Sequence, residues 1–268
     1  MTIAILGVGM LGEALLSGML EGGMSADEIR AAEARQSRRD EIAEKYAVWV
    51  GEATEAVEGV DTVLVAVKPQ DLSAVLADVG GRLKPGCLVI SVVAGVTTAT
   101  IERLLVLDRP VIRVMPNTAS LVGKGMSAMV RGTNATKEHL LQAQEIMETV
   151  GKVVVVPEKQ MDAVTAISGS GPAYLMYIAE AMIDAGVLLG LPRATATELA
   201  NQTIYGAGAL LTESNEHPTV LKEKVTSPGG TTISALRVLE DRSVKGALIA
   251  AIEASAKRAE EIGRAQTN

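Results

Sequence analysis

A chain of 268 residues that is 48% hydrophobic and 21% charged has apolar material for two ordinary domains, which excludes global disorder. A net charge of -7 excludes a sequence-independent grip on nucleic acid, which needs Lys and Arg against phosphates. One cysteine, Cys87, permits no internal disulfide, the two histidines give no metal-ligand spacing, and no apolar run reaches the length of a membrane span. With no signal-peptide pattern at the amino terminus, the cytoplasm is the expected compartment.

Aromatic residues make up only 2% of the chain and Phe is absent, so aliphatic periodicity carries the signal. The first expected strand is Thr2 to Leu6, followed at once by Gly7-Val8-Gly9-Met10-Leu11-Gly12 and a helix over Leu11 to Glu21. That is the context of a dinucleotide fingerprint. Gly7 permits the tight turn, Gly9 lets backbone approach a pyrophosphate, Gly12 lets helix pack on strand, and the helix start supplies N–H donors. An ordinary glycine-rich turn is the plainer alternative.

Near the end of the second strand Glu33 lies 21 residues beyond Gly12, where an acid binds the ribose diol of NAD. Arg35, Arg38 and Arg39 follow it and suit the 2′-phosphate of NADP, with Arg35 carrying the contact and Arg38 helping. The two signals oppose each other, and a solvated helix start with local charge pairs explains both as well. A helix is expected over Ser37 to Lys45, a strand over Thr62 to Ala66 and a helix over Asp71 to Val79. Between the last two, Val67-Lys68-Pro69 sits at a strand's carboxyl edge, where open α/β sheets bind ligands.

Ala94-Gly95 follows a strand over Cys87 to Val92, and Pro116-Asn117-Thr118 follows one over Val111 to Val114. Each is a candidate site loop or a plain surface loop. The alternation predicts a doubly wound parallel sheet of Rossmann type, with right-handed crossovers. Val153 to Val156 is its last strand, and the boundary is placed after residue 158.

Residues 159–268 read as all-helical: Gln160 to Ile167, Ala173 to Leu189, Arg193 to Glu213, Thr232 to Glu240 and Ser243 to Ile262. The second of these is apolar or small on most of its surface, which points to a dimer interface more than to an internal bundle. Ser168-Gly169-Ser170-Gly171-Pro172 and Ser227-Pro228-Gly229-Gly230-Thr231-Thr232 each precede a helix. The second offers amides and hydroxyls to a carboxylate, or is simple capping. His139 reads as a solvated or packing residue in a helix and His217 as a turn cap, so neither is a catalytic base.

The runs Val225 to Ile233, Ser168 to Tyr174, Ala66 to Pro69 and Arg113 to Thr118 together resemble pyrroline-5-carboxylate reductases, and the resemblance spans essentially the whole chain. It implies NAD(P)H-dependent reduction of a cyclic imine to proline by a Rossmann domain followed by a helical dimerisation domain, with dimers often forming decamers. By matched position it implies that Ser227, Gly229, Gly230 and Thr231 hold the substrate carboxylate, that the Thr232 hydroxyl faces the ring nitrogen, and that Ser170 borders the nicotinamide. Gly7, Gly9, Met10, Leu11, Gly12, Arg35, Val67, Lys68, Pro69, Ala94 and Asn117 are the expected coenzyme residues. NADPH is the expected coenzyme, with NADH open because Glu33-Ala34-Arg35 departs from the small or polar residues that relatives often carry.

Three other readings compete. The same cradle admits another imine, such as a piperideine carboxylate or a thiazoline. A β-hydroxyacid dehydrogenase would want a lysine base within the helical half, whereas Lys222 and Lys224 sit beside the Gly-Gly loop. A nucleotide-sensing protein without catalysis would bind coenzyme and turn nothing over.

Overall fold

A computed structural model describes residues 1–105 and 108–267 of the chain. By internal contacts the chain divides into two compact units. One comprises Met1–Gly169 with Ser255–Asn268, the other Ser170–Ala254. Segments 159–169 and 255–268, read from the sequence as part of the helical domain, thus group with the sheet.

The first unit is built on eight strands: β1 Ile3–Leu6, β2 Ile29–Ala32, β3 Trp49–Gly51, β4 Thr62–Val65, β5 Leu88–Ser91, β6 Val111–Met115, β7 Gly125–Arg131 and β8 Gly151–Val155. Their order is β3-β2-β1-β4-β5-β6-β7-β8, and all neighbours are parallel except β6 and β7, where Val114 stands opposite Met129. The doubly wound sheet is therefore parallel but for the β6–β7 junction, beyond which β7 and β8 run opposite to the other six strands. From the first strand the two faces are visible, since Ile3 and Ile5 point into one core and Ala4 and Leu6 into the other.

Helices α1 Met10–Glu21, α2 Gln36–Tyr46 and α6 Lys137–Glu148 bring Leu15, Leu16, Met19, Ile42, Ile146 and Met147 to the first face. Helices α3 Ala53–Ala56, α4 Leu72–Val79 and α5 Thr98–Leu105 bring Ala56, Leu72, Leu76, Val79, Ile101 and Leu105 to the second. These are the two layers a parallel sheet needs to bury both faces. After β8 come the short helix α7 Met161–Val164 and a π-turn over Thr165–Gly169.

The second unit contains α8 Gly171–Leu188, α9 Arg193–Glu213, α10 Pro218–Lys224, α11 Thr231–Asp241 and most of α12 Val244–Thr267. Only Ala196, Ala200 and Leu221 are buried within it. Leu175, Met176, Tyr177, Leu188 and Leu189 of the α8 segment are exposed, Leu188 to 87%. His217 is the N-cap of α10, its Nδ1 accepting from the Thr219 N–H at 3.3 Å, and His139 closes a capping box with Thr136 at the start of α6. Among the described residues no helix is long and apolar enough to cross a membrane.

Candidate dinucleotide and carboxylate sites

At the end of β1 the chain turns sharply at Gly7, whose φ of +93° is left-handed. A Cβ there would also stand 2.9 Å from the Ala66 carbonyl oxygen, so the position requires glycine on two counts. Any side chain on Gly12 would collide with the Gly7 carbonyl, whereas a Cβ on Gly9 would meet nothing within 4 Å. Gly9 is the N-cap of α1 and has no side-chain cap, so the first amides of the helix face the open space a pyrophosphate needs.

Beside this turn lies a cleft of about 650 Å³, a volume suited to a cofactor. Gly7, Gly9, Arg35, Val67 and Lys68 line it together, as the sequence spacing predicts. Met10 and Leu11 open α1 next to it, and Pro69 begins a turn of 3-10 helix next to Lys68. Glu33, Glu52, Ala53, Asp71 and Val75 line it as well. No sequence pattern marks Glu52 or Ala53, because β3, whose end positions them, is only three residues long.

The charges at this end are tightly paired. Glu33 accepts hydrogen bonds from the backbone N–H and Nε of Arg35, both at 3.1 Å. Burial pushes the Glu33 carboxyl up, but Arg35 outweighs burial and holds it below the ordinary value. Arg39 is bound to Glu52 at 2.6 Å and to the Glu33 carbonyl. Arg38 pairs with Glu13 and with Glu41 at 2.7 Å, and its side chain is only 15% exposed. Of the three arginines, Arg35 alone lines the cleft, its side chain 68% exposed. Glu13 also accepts from Lys45 and the Tyr46 hydroxyl, each at 2.8 Å. Burial pushes Glu13 up, yet Lys45, Arg38 and Tyr46 together hold it at about 2.

Ala94 and Asn117 do not line this cleft. Ala94 lies in the turn after β5, and Asn117 follows β6. The Asn117 amide donates to the Ser168 carbonyl at 3.1 Å while its Oδ1 accepts from Met126 N–H at 3.1 Å, so the side chain fastens its own loop to that of Ser168. Nearby, Arg113 is buried in β6 and paired with Glu158, whose other oxygen accepts from Thr98 N–H and Oγ1 at 3.2 and 2.7 Å. The one trace of this cluster in the sequence is an arginine inside the strand Val111-Ile112-Arg113-Val114.

In the second unit Ser170 is the N-cap of α8. Gly229 adopts φ +68°, and Gly230, the N-cap of α11, is extended and has no side-chain cap. Its N–H reaches the Ser227 carbonyl at 3.1 Å, and a Cβ on Gly230 would collide with Ser227 Oγ. The helix start at Thr231 and Thr232 is thus not closed by a serine or threonine side chain, which leaves its amides to an anion. Thr232 is half-buried in that first turn.

Residues 158–262 match the family model described as pyrroline-5-carboxylate reductase dimerisation, and residues 2–95 match that of NADP oxidoreductase, coenzyme F420-dependent. The pyrroline-5-carboxylate reductase of Corynebacterium melassecola is 41% identical over 267 residues, covering 98% of this chain and 99% of that one. Among solved structures, the pyrroline-5-carboxylate reductase of Coxiella burnetii superposes with a TM-score of 0.93 at 34% identity, over 97% of this chain and 98% of the other. The Plasmodium falciparum pyrroline carboxylate reductase with NADP bound gives 0.86 at 29% identity, over 98% of each chain. Full-length identity of this order, joined to a glycine turn built for a dinucleotide, shows that the chain belongs to the pyrroline-5-carboxylate reductase family of NAD(P)H-dependent oxidoreductases.

Proposed function

We propose that the chain reduces 1-pyrroline-5-carboxylate to L-proline with NADPH as its preferred coenzyme. The single observation that supports the substrate reading best is the start of α11, where glycine instead of a hydroxyl residue occupies the N-cap. An N-cap glycine leaves the first-turn amides to an anion, and the substrate carries one carboxylate. In this reading Gly229 and Thr231 hold that carboxylate through backbone N–H groups, while Gly230, whose own N–H is taken by the Ser227 carbonyl, lies beside it without a Cβ, and Ser227 shapes the loop. The Thr232 hydroxyl, one residue on, faces the ring nitrogen, and Ser170 borders the nicotinamide.

The residues of the first unit fit a dinucleotide. Gly7, Gly9, Met10, Leu11 and Gly12 would take the pyrophosphate, Arg35 a 2′-phosphate, and Val67, Lys68 and Pro69 the side of the cleft. Ala94 and Asn117 belong to the strand-end loops beyond it. A bound nicotinamide supplies the hydride. The protonated imine is already electrophilic, so the protein's work is to bind, orient and exclude water, and no side-chain base is required. Residues 1–158 serve as the coenzyme domain and 159–268 as the dimerisation and substrate domain, a division supported by a family match that starts at residue 158. The working form is a cytoplasmic homodimer able to build a decamer.

Steady-state oxidation of NADPH and NADH with pyrroline-5-carboxylate and its six-membered homologue tests the reading, together with Thr232→Val. Faster turnover of the five-membered ring is expected. Thr232→Val is expected to lower kcat/KM by about tenfold to a thousandfold with coenzyme affinity unchanged. A variant with wild-type kinetics and a lower Tm would reduce Thr232 to a helix-start residue, and preference for the larger ring would replace the substrate.

A further inference from the structure

Arg38 was expected to help read a 2′-phosphate, but its guanidinium is turned the other way. Its Nε donates to the carbonyl of Val8 at 3.1 Å, and its Nη2 pairs with Glu13 in the first turn of α1. One planar fork, projected from α2, therefore grips both the fingerprint turn and the helix that follows it. Val8 is fully buried, and the Arg38 side chain is partly buried.

The Val8 carbonyl and the Gly9 N–H belong to one planar peptide unit and point in opposite directions. Glycine at position 9, whose φ sets that plane on one side, gives it unusual freedom to rotate. Fixing the carbonyl fixes the amide. We propose that Arg38 is a positioning residue for the dinucleotide turn, holding the Val8–Gly9 peptide so that the Gly9 amide is presented to the pyrophosphate. The inference rests on the reading of Gly7 to Gly12 as the coenzyme turn. Arg38 then serves NADPH and NADH alike, because both carry the same pyrophosphate. Lysine cannot replace it, having one nitrogen where two directions must be satisfied.

The test is a fluorescence titration of the full-length protein with NADPH and NADH, and with adenosine 2′-monophosphate as competitor. This competitor has a 2′-phosphate and no pyrophosphate. Arg38→Lys is expected to raise Kd about tenfold for both coenzymes, the scale of one charge-assisted hydrogen bond, and to leave the competitor's Kd unchanged. At saturating coenzyme, kcat should be that of the wild type. Should Arg38→Lys fold poorly, Glu13→Gln loosens the same grip while Lys45 and Tyr46 stay in place. It is expected to weaken both coenzymes equally but less. Glu41→Gln, which touches only the outer side of Arg38, should change neither.

Weakened NADPH and competitor with NADH spared would make Arg38 a phosphate reader and overturn the proposal. Equal loss of all three ligands with a lower Tm would make it a scaffold residue and overturn it too, as would no change. A wild-type protein that binds neither coenzyme would instead overturn the coenzyme reading on which the proposal stands.

Discussion

Glu33 and Arg35 place opposite demands on the adenosine end of the cleft, since a carboxylate there favours a ribose diol and a guanidinium a phosphate. The two are bonded to each other through Nε and backbone N–H of Arg35, which both fall on Oε1 of the Glu33 carboxylate. A mostly exposed guanidinium joined through its Nε retains its outer nitrogens for a phosphate. Arg35→Ala is accordingly expected to raise the NADPH Kd by about tenfold and leave NADH nearly unchanged. Equal weakening of both coenzymes in the same titration would dismiss the assignment. The steric demand for glycine at Gly7 and Gly12 and the place of Arg35 at the cleft were legible in the sequence because they depend on spacing along the chain. Arg38 and Arg39 were misjudged as a phosphate cluster because their partners, Glu13 and Glu52, lie 25 and 13 residues away. Spacing says nothing of such pairs.

Helices α1 and α2 are clamped by Glu13, and the clamp has a pH range. Its carboxyl sits at about 2 in the folded chain against an ordinary 4.5. A carboxyl lowered on folding stabilises fully above its unfolded value and loses that contribution as pH falls through the folded one. Glu13→Gln should therefore be less stable than the wild type by a constant margin above about pH 5, with the margin shrinking from about pH 4.5 towards 2. Parallel melting curves across that range check it, and a gap unchanged at about pH 3 would show that the clamp's charge does not matter. Elements with a strong period were legible: β1, β4, β5, α1, α8 and α9 stand within a few residues of their expected ends. β3 is too short to show a period, and β7, Gly-Met-Ser-Ala-Met-Val-Arg, lacks the β-branched run that marks its neighbours. Missing β7 is why the expected parallel sheet lacked its antiparallel junction, which reverses β7 and β8 together.

For the molecule as a whole, the helical unit decides the state in which it exists. Three buried residues cannot stabilise a unit of five helices on their own, whereas fully burying one exposed leucine or methionine contributes roughly 1.5–3 kcal/mol. The match to a dimerisation domain fits this exposed apolar surface, which is expected to be covered by a second copy. Light scattering at micromolar concentration should give at least twice the chain mass of 27.9 kDa. Leu188→Asp should shift the population towards smaller species or aggregates. A monomeric wild type would contradict the assembly, and an unaltered Leu188→Asp would remove α8 from the contact. The oligomer was legible in the uniform apolarity of α8, but the path of the chain was not. Helix α12 begins in the helical unit, and from Ser255 onward it belongs with the sheet unit, so the polypeptide passes between the two units twice. In genetic terms the helical unit is an insertion rather than an appendage: a stop codon after residue 169 deletes it and also takes from the sheet unit Glu260, Gly263 and Arg264, which line a cleft with Arg113 and Glu158, whereas excising 170–254 and splicing the ends keeps them.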